Sequence, residues 1–371
     1  MRIRLQFVRP YQIFIKDNQL IISMEKVKIL VTGGTGYIGA HTAVELNSAG
    51  YEVVLVDNFS NSTPDVLDGI EKITGKKPVF EEVDCADYEG FKMLFERHPD
   101  IKAAIHFAAF KAVGESVEKP LMYYKNNLYS LINLINLMTQ NESSSIVFSS
   151  SCTVYGQPAK ENLPVSESAP LQPATSPYGK TKQMCEDILK DSAHAYKNRL
   201  NIIALRYFNP IGAHPSALIG ELPRGVPQNL LPFITQTAVG LRETLSVYGN
   251  DYSTPDGSCI RDYIYVCDLA KAHVAALKRL LEKAGEMKDN IEYFNLGTGK
   301  GLSVLEMINL FQKATGLAIP YKIANRRAGD VEQVWADPSL ANKVLGWSAD
   351  TPIGEVLKSA WNWEKKIRGV I

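Results

Sequence analysis

Tyr178 and Lys182 have the residue types and the spacing to take a proton from a hydroxyl. They stand in Ser176-Pro177-Tyr178-Gly179-Lys180-Thr181-Lys182, a segment that opens a helix. At i and i+4 they share one helical face. A nearby ammonium favours the phenolate, so Lys182 is expected to lower the tyrosine pKa and make Tyr178 a general base. The same spacing also occurs on ordinary solvated helix faces. What singles this pair out is its place between the fifth and sixth strand-like runs. The fifth run ends in Ser149-Ser150-Ser151-Cys152-Thr153. In an open α/β sheet ligands gather beyond the carboxyl ends of the strands, which puts Ser151 near Tyr178. Strand-end capping accounts for Ser149 and Ser150 equally well. No Gly-x-Ser-x-Gly segment is present, so acyl transfer from a serine nucleophile is not expected.

A second set of residues could hold a phosphate. The first strand-like run leads directly into Thr32-Gly33-Gly34-Thr35-Gly36-Tyr37-Ile38-Gly39. Such glycines allow a tight turn and close approach of backbone to a pyrophosphate, and the helix beyond presents unpaired N–H groups. The pattern has its required context, a strand before it and a helix after it. Asp57 ends the second run at the distance expected of an acid that accepts from an adenosine ribose. It would repel a 2′-phosphate, which favours NAD over NADP. Taken alone, Asp57 reads as a strand-end turn acid. Asp84, after the third run, reads either as a contact to the adenine edge or as a turn residue.

The elements that must position these groups alternate regularly. Strand-like runs span 27–31, 52–56, 78–83, 103–107, 145–149 and 201–206. Helical patterns span 36–49, 91–97, 120–138 and 176–196. In the third helix Leu128, Leu131, Ile132, Ile135 and Met138 recur at helical spacing. This rhythm predicts the α/β class, a Rossmann-type doubly wound parallel sheet covered on both faces. After Phe208 it breaks at Pro- and Gly-punctuated sequence, then returns as helical patterns at 269–281, 304–314 and 353–366. A dinucleotide-binding domain over 24–207 is therefore expected. A smaller mixed α/β lobe over 208–371 would follow, with some segments returning to the first domain. Residues 1–23 read as an extension, because Met24 offers an alternative start and charges interrupt every earlier apolar run.

Composition excludes other classes. With 45% hydrophobic and 22% charged residues the chain can build a core. Lys+Arg and Asp+Glu are 40 each, so no global attraction to nucleic acid or to an anionic membrane is expected. No apolar run approaches the roughly 18 residues of a membrane span. The five cysteines form no C-x-x-C pair and read as reduced thiols in a cytoplasmic protein. The six histidines show no metal-binding spacing, and His106, inside an apolar run, reads as a core residue.

Together these elements resemble the extended short-chain dehydrogenase/reductases. Further blocks are similar to the UDP-glucose (UDP-galactose) 4-epimerase family. They include 106–116 from His106, Tyr123-Tyr-Lys-Asn-Asn127, Arg206-Tyr-Phe-Asn-Pro-Ile-Gly-Ala-His-Pro215, Gly249-Asn-Asp-Tyr252, Arg261-Asp-Tyr263 and Arg326-Arg-Ala-Gly-Asp330. The resemblance covers residues 25–366. It implies one tightly held NAD, reversible inversion at C4 of UDP-glucose and UDP-galactose through a 4-keto sugar, and a homodimer built on the helices starting near Pro120 and Ser176. Tyr178 would be the base, Lys182 would hold the nicotinamide ribose, and Ser151 with Thr153 would orient the sugar hydroxyl.

By motif matching, Gly33, Gly36, Tyr37, Ile38, Gly39, Asp57, Asn58, Asn61 and Ser62 fall on cofactor positions, as do Asp84, Cys85, Phe107, Ala108, Ala109, Lys111, Asn126 and Phe208. Lys111, Asn209, Asn229, Leu230, Tyr248, Arg261, Tyr263, Arg327 and Asp330 fall on nucleotide-sugar positions. Where the family often has glycine and an aliphatic residue, this chain has Ala109 and Phe110. Where the family can carry a bulky tyrosine that restricts the sugar pocket, it has Val334. The smaller side chain implies that UDP-N-acetylglucosamine and UDP-N-acetylgalactosamine also fit. A 4-epimerase of a UDP-pentose or UDP-uronate and a non-catalytic NAD sensor remain as alternatives. A 4,6-dehydratase would carry an Asp-Glu pair where Cys152-Thr153 stands.

Overall fold

The computed structural model describes residues 11–16, 19–24, 27–140, 144–197, 199–287, 289–327 and 330–370. The stretch that reads as an extension is not featureless: β1 (Tyr11–Lys16) and β2 (Gln19–Met24) pair as an antiparallel hairpin. Its first ten residues lie outside the described ones.

From Lys28 each β-branched run becomes a strand and each amphipathic run a helix. The order is β3 (Lys28–Thr32), α1 (Tyr37–Ser48), β4 (Glu52–Asp57), α2 (Asp65–Thr74), β5 (Val79–Glu82) and α3 (Tyr88–Arg97). Then follow β6 (Ile101–His106), α4 (Val113–Glu118), α5 (Pro120–Met138), β7 (Ser144–Ser151), α6 (Pro177–Ala195) and β8 (Leu200–Tyr207). Among the described residues, seven strands form one sheet in the order β12-β8-β7-β6-β3-β4-β5, where β12 is Ile291–Leu296. Every neighbouring pair is parallel.

Successive residues serve opposite faces of this sheet. Ile29, Val31, Leu55, Ile105, Val147 and Ile203 pack with α1 and with α8 (Val266–Lys283). Leu30, Val54, Ala104, Ile146, Phe148 and Ile202 pack with α3, α5 and α6. Both faces are covered, so the strands read as continuous apolar runs. Each fully buried aliphatic side chain contributes about 1.5–3 kcal/mol relative to exposure. The chain order reverses at β3, whose neighbours are β4 and β6. The loops leaving β3 and β6 therefore diverge and open a crevice at their carboxyl ends.

The remaining elements are β9 (Asn209–Ile211), α7 (Leu230–Ala238), β10 (Leu245–Tyr248), β11 (Ile260–Tyr265), β13 (Gly301–Ser303), α9 (Val304–Thr315), β14 (Tyr321–Ala324), β15 (Gln333–Val334), α10 (Ser339–Leu345) and α11 (Ile353–Ile367). Most of them lie outside the large sheet, although α10 returns to it and packs with β12 and α8. Strand β11 is central: β9 and β15 pair with it in parallel, and β13 pairs antiparallel. β10 and β14 make a separate parallel pair. No helix among the described residues is long and apolar enough to cross a membrane.

Candidate active site

Helix α6 starts with Pro177 in its first turn and Ser176 as N-cap, whose side chain accepts from Gly179 N at 3.2 Å. This start aims Tyr178 and Lys182 at the end of β7. Burial pushes the Tyr178 phenol above its usual range, and the Ser151 hydroxyl opposes this by favouring the ionised form. Lys182 is 4% exposed, and its Nζ donates to Ser149 O at 2.5 Å. That Nζ lies 4.8 Å from the centre of the Phe148 ring and 6.0 Å from that of Tyr178. Burial lowers Lys182 to about 8, with Cys185 and Glu186 opposing. The Tyr178 phenol therefore stands above its usual range, not below it as the neighbouring Lys182 led us to expect. Burial outweighs every other influence on the phenol, and the ammonium is spent on a backbone carbonyl.

Thr153 N donates to Ser151 Oγ at 3.2 Å. Thr153 Oγ1 and Asn209 Oδ1 are buried and have no hydrogen-bond partner. Buried polar atoms are nearly always paired, so two such oxygens call for a ligand.

At the cofactor end the glycines are required by space. Gly33 has φ +66°, and a Cβ on it would stand 2.9 Å from Ala108 N. A Cβ on Gly39 would meet Gly33 O at 2.2 Å, and one on Gly36 would meet the same oxygen at 3.1 Å. Helix α1 follows with no side-chain cap and no acidic residue in its first turn, which leaves its N–H groups for an anion. Thr32 Oγ1 accepts from Phe107 N and Ala108 N at 3.2 and 3.3 Å, and so holds the segment Phe107–Ala108–Ala109 beside the glycine loop. Its hydroxyl also bonds His106 Nδ1 at 2.8 Å; that ring is buried at the end of β6 and pushed down to about 3 by burial and by the Lys182 charge.

Asp57 accepts from Thr35 N at 3.2 Å and from Phe59 N at 2.9 Å. Ser62 Oγ donates to it at 3.2 Å. Asn58 and Asn61 are exposed on the same loop. Asp84 is exposed and accepts from Ala86 N at 2.8 Å, which is the turn arrangement; Cys85 beside it is buried. Tyr37 OH donates to Gly212 O at 2.6 Å, and Ile38 packs between the two lobes' cores. Asn126 donates to Asn127 Oδ1 at 2.9 Å. Lys111 Nζ is turned to Glu221, 3.6 Å from Oε1.

The substrate candidates converge on the sheet around β11. Arg261 pairs across from Val334 on β15, and Tyr263 pairs across from Asn209 on β9. Val334 is 5% exposed and packs with Tyr155, Phe208 and Cys152 at the end of β7. Arg327 pairs with Asp330 at 2.7 Å and lies 5.8 Å from the centre of the Tyr248 ring. Asn229, just before Leu230 at the start of α7, donates to Glu221 Oε1 at 2.6 Å.

Two residues without a sequence signal join these groups. Glu221 bridges Asn229 and Lys111, and Arg224 donates to Ser60 O and Ser62 O on the loop that holds Asp57. Both lie in the Pro- and Gly-rich stretch that announced no element. Among the described residues no cluster of acidic, histidine and cysteine side chains could hold a metal ion.

The glycine cradle, the uncapped helix α1 and the carboxylate of Asp57 fit a dinucleotide. The comparisons agree. The family described as GDP-mannose 4,6 dehydratase matches residues 30–360. UDP-glucose 4-epimerase of Mus musculus is 48% identical over 345 residues, covering 91% of this chain and 97% of that protein. The enzyme of Bacillus subtilis is 50% identical over 336 residues, covering 91% and 96%. The structure of UDP-glucose 4-epimerase from Bifidobacterium longum, in complex with NAD+ and UDP, superposes with a TM-score of 0.87 at 46% identity, covering 93% of this chain and 100% of that one. On these grounds the chain belongs to the UDP-glucose 4-epimerase family of the extended short-chain dehydrogenase/reductases.

Proposed function

We infer that this chain interconverts UDP-glucose and UDP-galactose by inverting C4 through a 4-keto sugar, with NAD as cofactor. The observation that carries the reading is Tyr178, its ionised form favoured by Ser151, with buried Lys182 Nζ 6.0 Å from its ring at the mouth of the sheet crevice. Bound NAD supplies the acceptor and then the donor of the C4 hydride, and in its oxidised form a positive charge. Tyr178 Oη takes the proton of the sugar 4-hydroxyl and later returns it. Ser151 shares that hydrogen bond and keeps the hydroxyl pointed at the phenol. Lys182, fixed through Ser149 O, holds ribose hydroxyls and favours the phenolate. The unpartnered Thr153 Oγ1 and Asn209 Oδ1 accept from the substrate. Arg261 and Arg327 offer paired donors to the diphosphate. Asp57 accepts from the adenosine ribose. Residues 24–207 carry mainly the cofactor and 208–371 mainly the nucleotide sugar.

The test is purified protein incubated with UDP-galactose without added NAD, with UDP-glucose followed by a coupled assay. Activity is expected, falling by roughly 10²–10⁴-fold in Tyr178→Phe. Silence from the unaltered protein, even after NAD is restored, would move the function to another sugar nucleotide or to a sensor.

The small, buried Val334 beside Phe208 and Cys152 supports a broader substrate range that includes UDP-N-acetylglucosamine and UDP-N-acetylgalactosamine. No epimerisation of these by the purified protein would end that reading. Leu121 and Tyr129 on α5 are exposed, as is Val117 on α4, and α5 packs against α6. This apolar surface supports a homodimer, checked by sedimentation. The five free thiols fit a reducing, cytoplasmic compartment.

A further inference from the structure

Three consecutive serines at the end of β7 meet three residues of one stripe on α6. Ser149 O accepts from Lys182 Nζ at 2.5 Å, Ser150 Oγ donates to Glu186 Oε1 at 2.5 Å, and the Ser151 hydroxyl acts on the Tyr178 phenol, favouring its ionised form. Tyr178, Lys182 and Glu186 stand at i, i+4 and i+8, one above another on a single face. Two of these contacts serve the proton-handling pair. The middle one serves neither directly.

Glu186 and Arg206 are each 4% exposed. Arg206 grips both carboxylate oxygens, Nε to Oε1 at 2.9 Å and Nη2 to Oε2 at 2.6 Å. Its Nη1 donates to Tyr155 OH at 3.0 Å, and Tyr155 OH donates to Asn295 Oδ1 at 2.7 Å. The carboxylate is thus anchored to β8, to the turn after β7 and to β12. Burying such an ion pair often costs as much as it returns, so stability alone is a poor reason for its presence. Its geometry offers a better one. Ser150 cannot slide along α6 while Glu186 holds it, and its neighbours then keep their own bonds to Lys182 and Tyr178.

We infer that Glu186, clamped by Arg206, is a positioning residue that fixes the serine run against α6 through Ser150. This rests on the reading of Tyr178 as the base. The titratable groups around the pair are Cys185 and Glu186 on their own helix, Tyr123 on α5, Cys152 after β7, His106 on β6, and Arg206 and Tyr207 on β8. Glu186→Gln leaves the Arg206 charge buried and unpaired, which by itself favours the phenolate, whereas Ser150→Ala keeps the ion pair whole and acts through geometry alone. The Ser151 bond favours the phenolate, and loosening it moves Tyr178 ionisation to higher pH.

The experiment compares the holoenzyme with Ser150→Ala and Glu186→Gln. Three readouts are taken: kcat and KM for UDP-galactose across pH, the melting temperature, and tyrosine ionisation by ultraviolet difference against a Tyr178→Phe background. Misplacement of a reacting group by less than an ångström is expected to lower kcat about tenfold in Glu186→Gln and about threefold in Ser150→Ala, with KM within about twofold. In Ser150→Ala the rising limb of the pH profile and the ionisation midpoint should both move to higher pH. A lower melting temperature with unchanged kcat, limb and midpoint would mean a merely structural pair and would overturn the inference. Should Glu186→Gln not fold, Ser150→Ala decides, since it deletes one oxygen and leaves the ion pair whole. Should the unaltered protein leave UDP-galactose untouched, the assigned activity falls, yet the midpoint still decides: a shift supports the positioning role and a fixed midpoint refutes it.

Discussion

Replacing His273 with leucine is expected to make the protein less sensitive to acid. His41, His106 and His273 are buried and held neutral, pushed from 6.5 to about 3, about 3 and about 4 by burial. Hydrogen bonds to Tyr37 O and Leu269 O oppose this for His41 and His273, and the Lys182 charge adds to it for His106. An unfolded imidazole takes its proton near pH 6.5, whereas the folded ones wait until pH 3–4. Between those limits the unfolded state binds more protons, so stability falls as the solution is acidified. Since the folded values all lie below pH 5, the loss between pH 7 and pH 5 depends on the unfolded pKa alone, about 2 kcal/mol per histidine. Buried Glu45, Glu167 and Asp262 have raised pKa values and offset part of it; ion-paired Glu81 and Asp100 are lowered and add to it. A comparison of variant and parent cancels both sets. His273 is suited to this because its Nε2 has no partner and its ring rests 4.7 Å from Phe107 and 5.7 Å from Tyr207, an apolar contact that leucine preserves. Urea unfolding of both holoproteins at pH 7 and pH 5 reads the effect. The parent should lose about 2 kcal/mol more than the variant. Equal losses would refute the reasoning.

Gly33→Ala places a Cβ on a residue with φ +66° and drives it to 2.9 Å from Ala108 N, so the glycine loop must shift. We expect NAD affinity to fall about a hundredfold, read as cofactor retained after desalting, since the strain amounts to roughly 2–3 kcal/mol. Val334→Tyr should spare UDP-galactose turnover and lower turnover of UDP-N-acetylgalactosamine about tenfold or more; an equal fall on both would remove Val334 from specificity. Arg224→Ala releases the Ser60–Ser62 loop from two hydrogen bonds and should speed exchange of labelled NAD about tenfold. An unchanged exchange rate would show that this contact does not hold the cofactor.

The parallel sheet was legible because its strands are continuous apolar runs separated by helical patterns, and α5 spans the residues its periodicity indicates. Helix α2 was not read, although Val66, Leu67, Ile70 and Ile73 keep helical spacing, because acidic residues surround them just after a glycine-phosphate signature. Tyr178 and Ser151 could be paired from sequence because strand ends and helix starts meet at a known edge. The acceptor of Lys182 could not, since a backbone carbonyl leaves no mark in residue types. Glu186 and Arg206 read as ordinary charged residues until burial joined them. Glu221 and Arg224 depend on the path of an irregular loop, which no periodicity encodes.

The position of β12 sets an order on synthesis. When the ribosome has delivered the chain only through Tyr207, six strands of the sheet exist and the edge of β8 is open. Its partner, registered from Ile202↔Ile291 to Tyr207↔Leu296, arrives only after the whole stretch from Phe208 to Asn290. Until then the nascent protein exposes an unpaired edge, the condition under which chains associate wrongly. The same strand brings Asn295, which accepts from Tyr155 and donates to Val165 O at 2.8 Å, and so completes the turn after the serine run of β7. Premature termination between Tyr207 and Leu296 would therefore yield a chain that carries its glycine loop and its tyrosine yet needs a chaperone rather than a substrate.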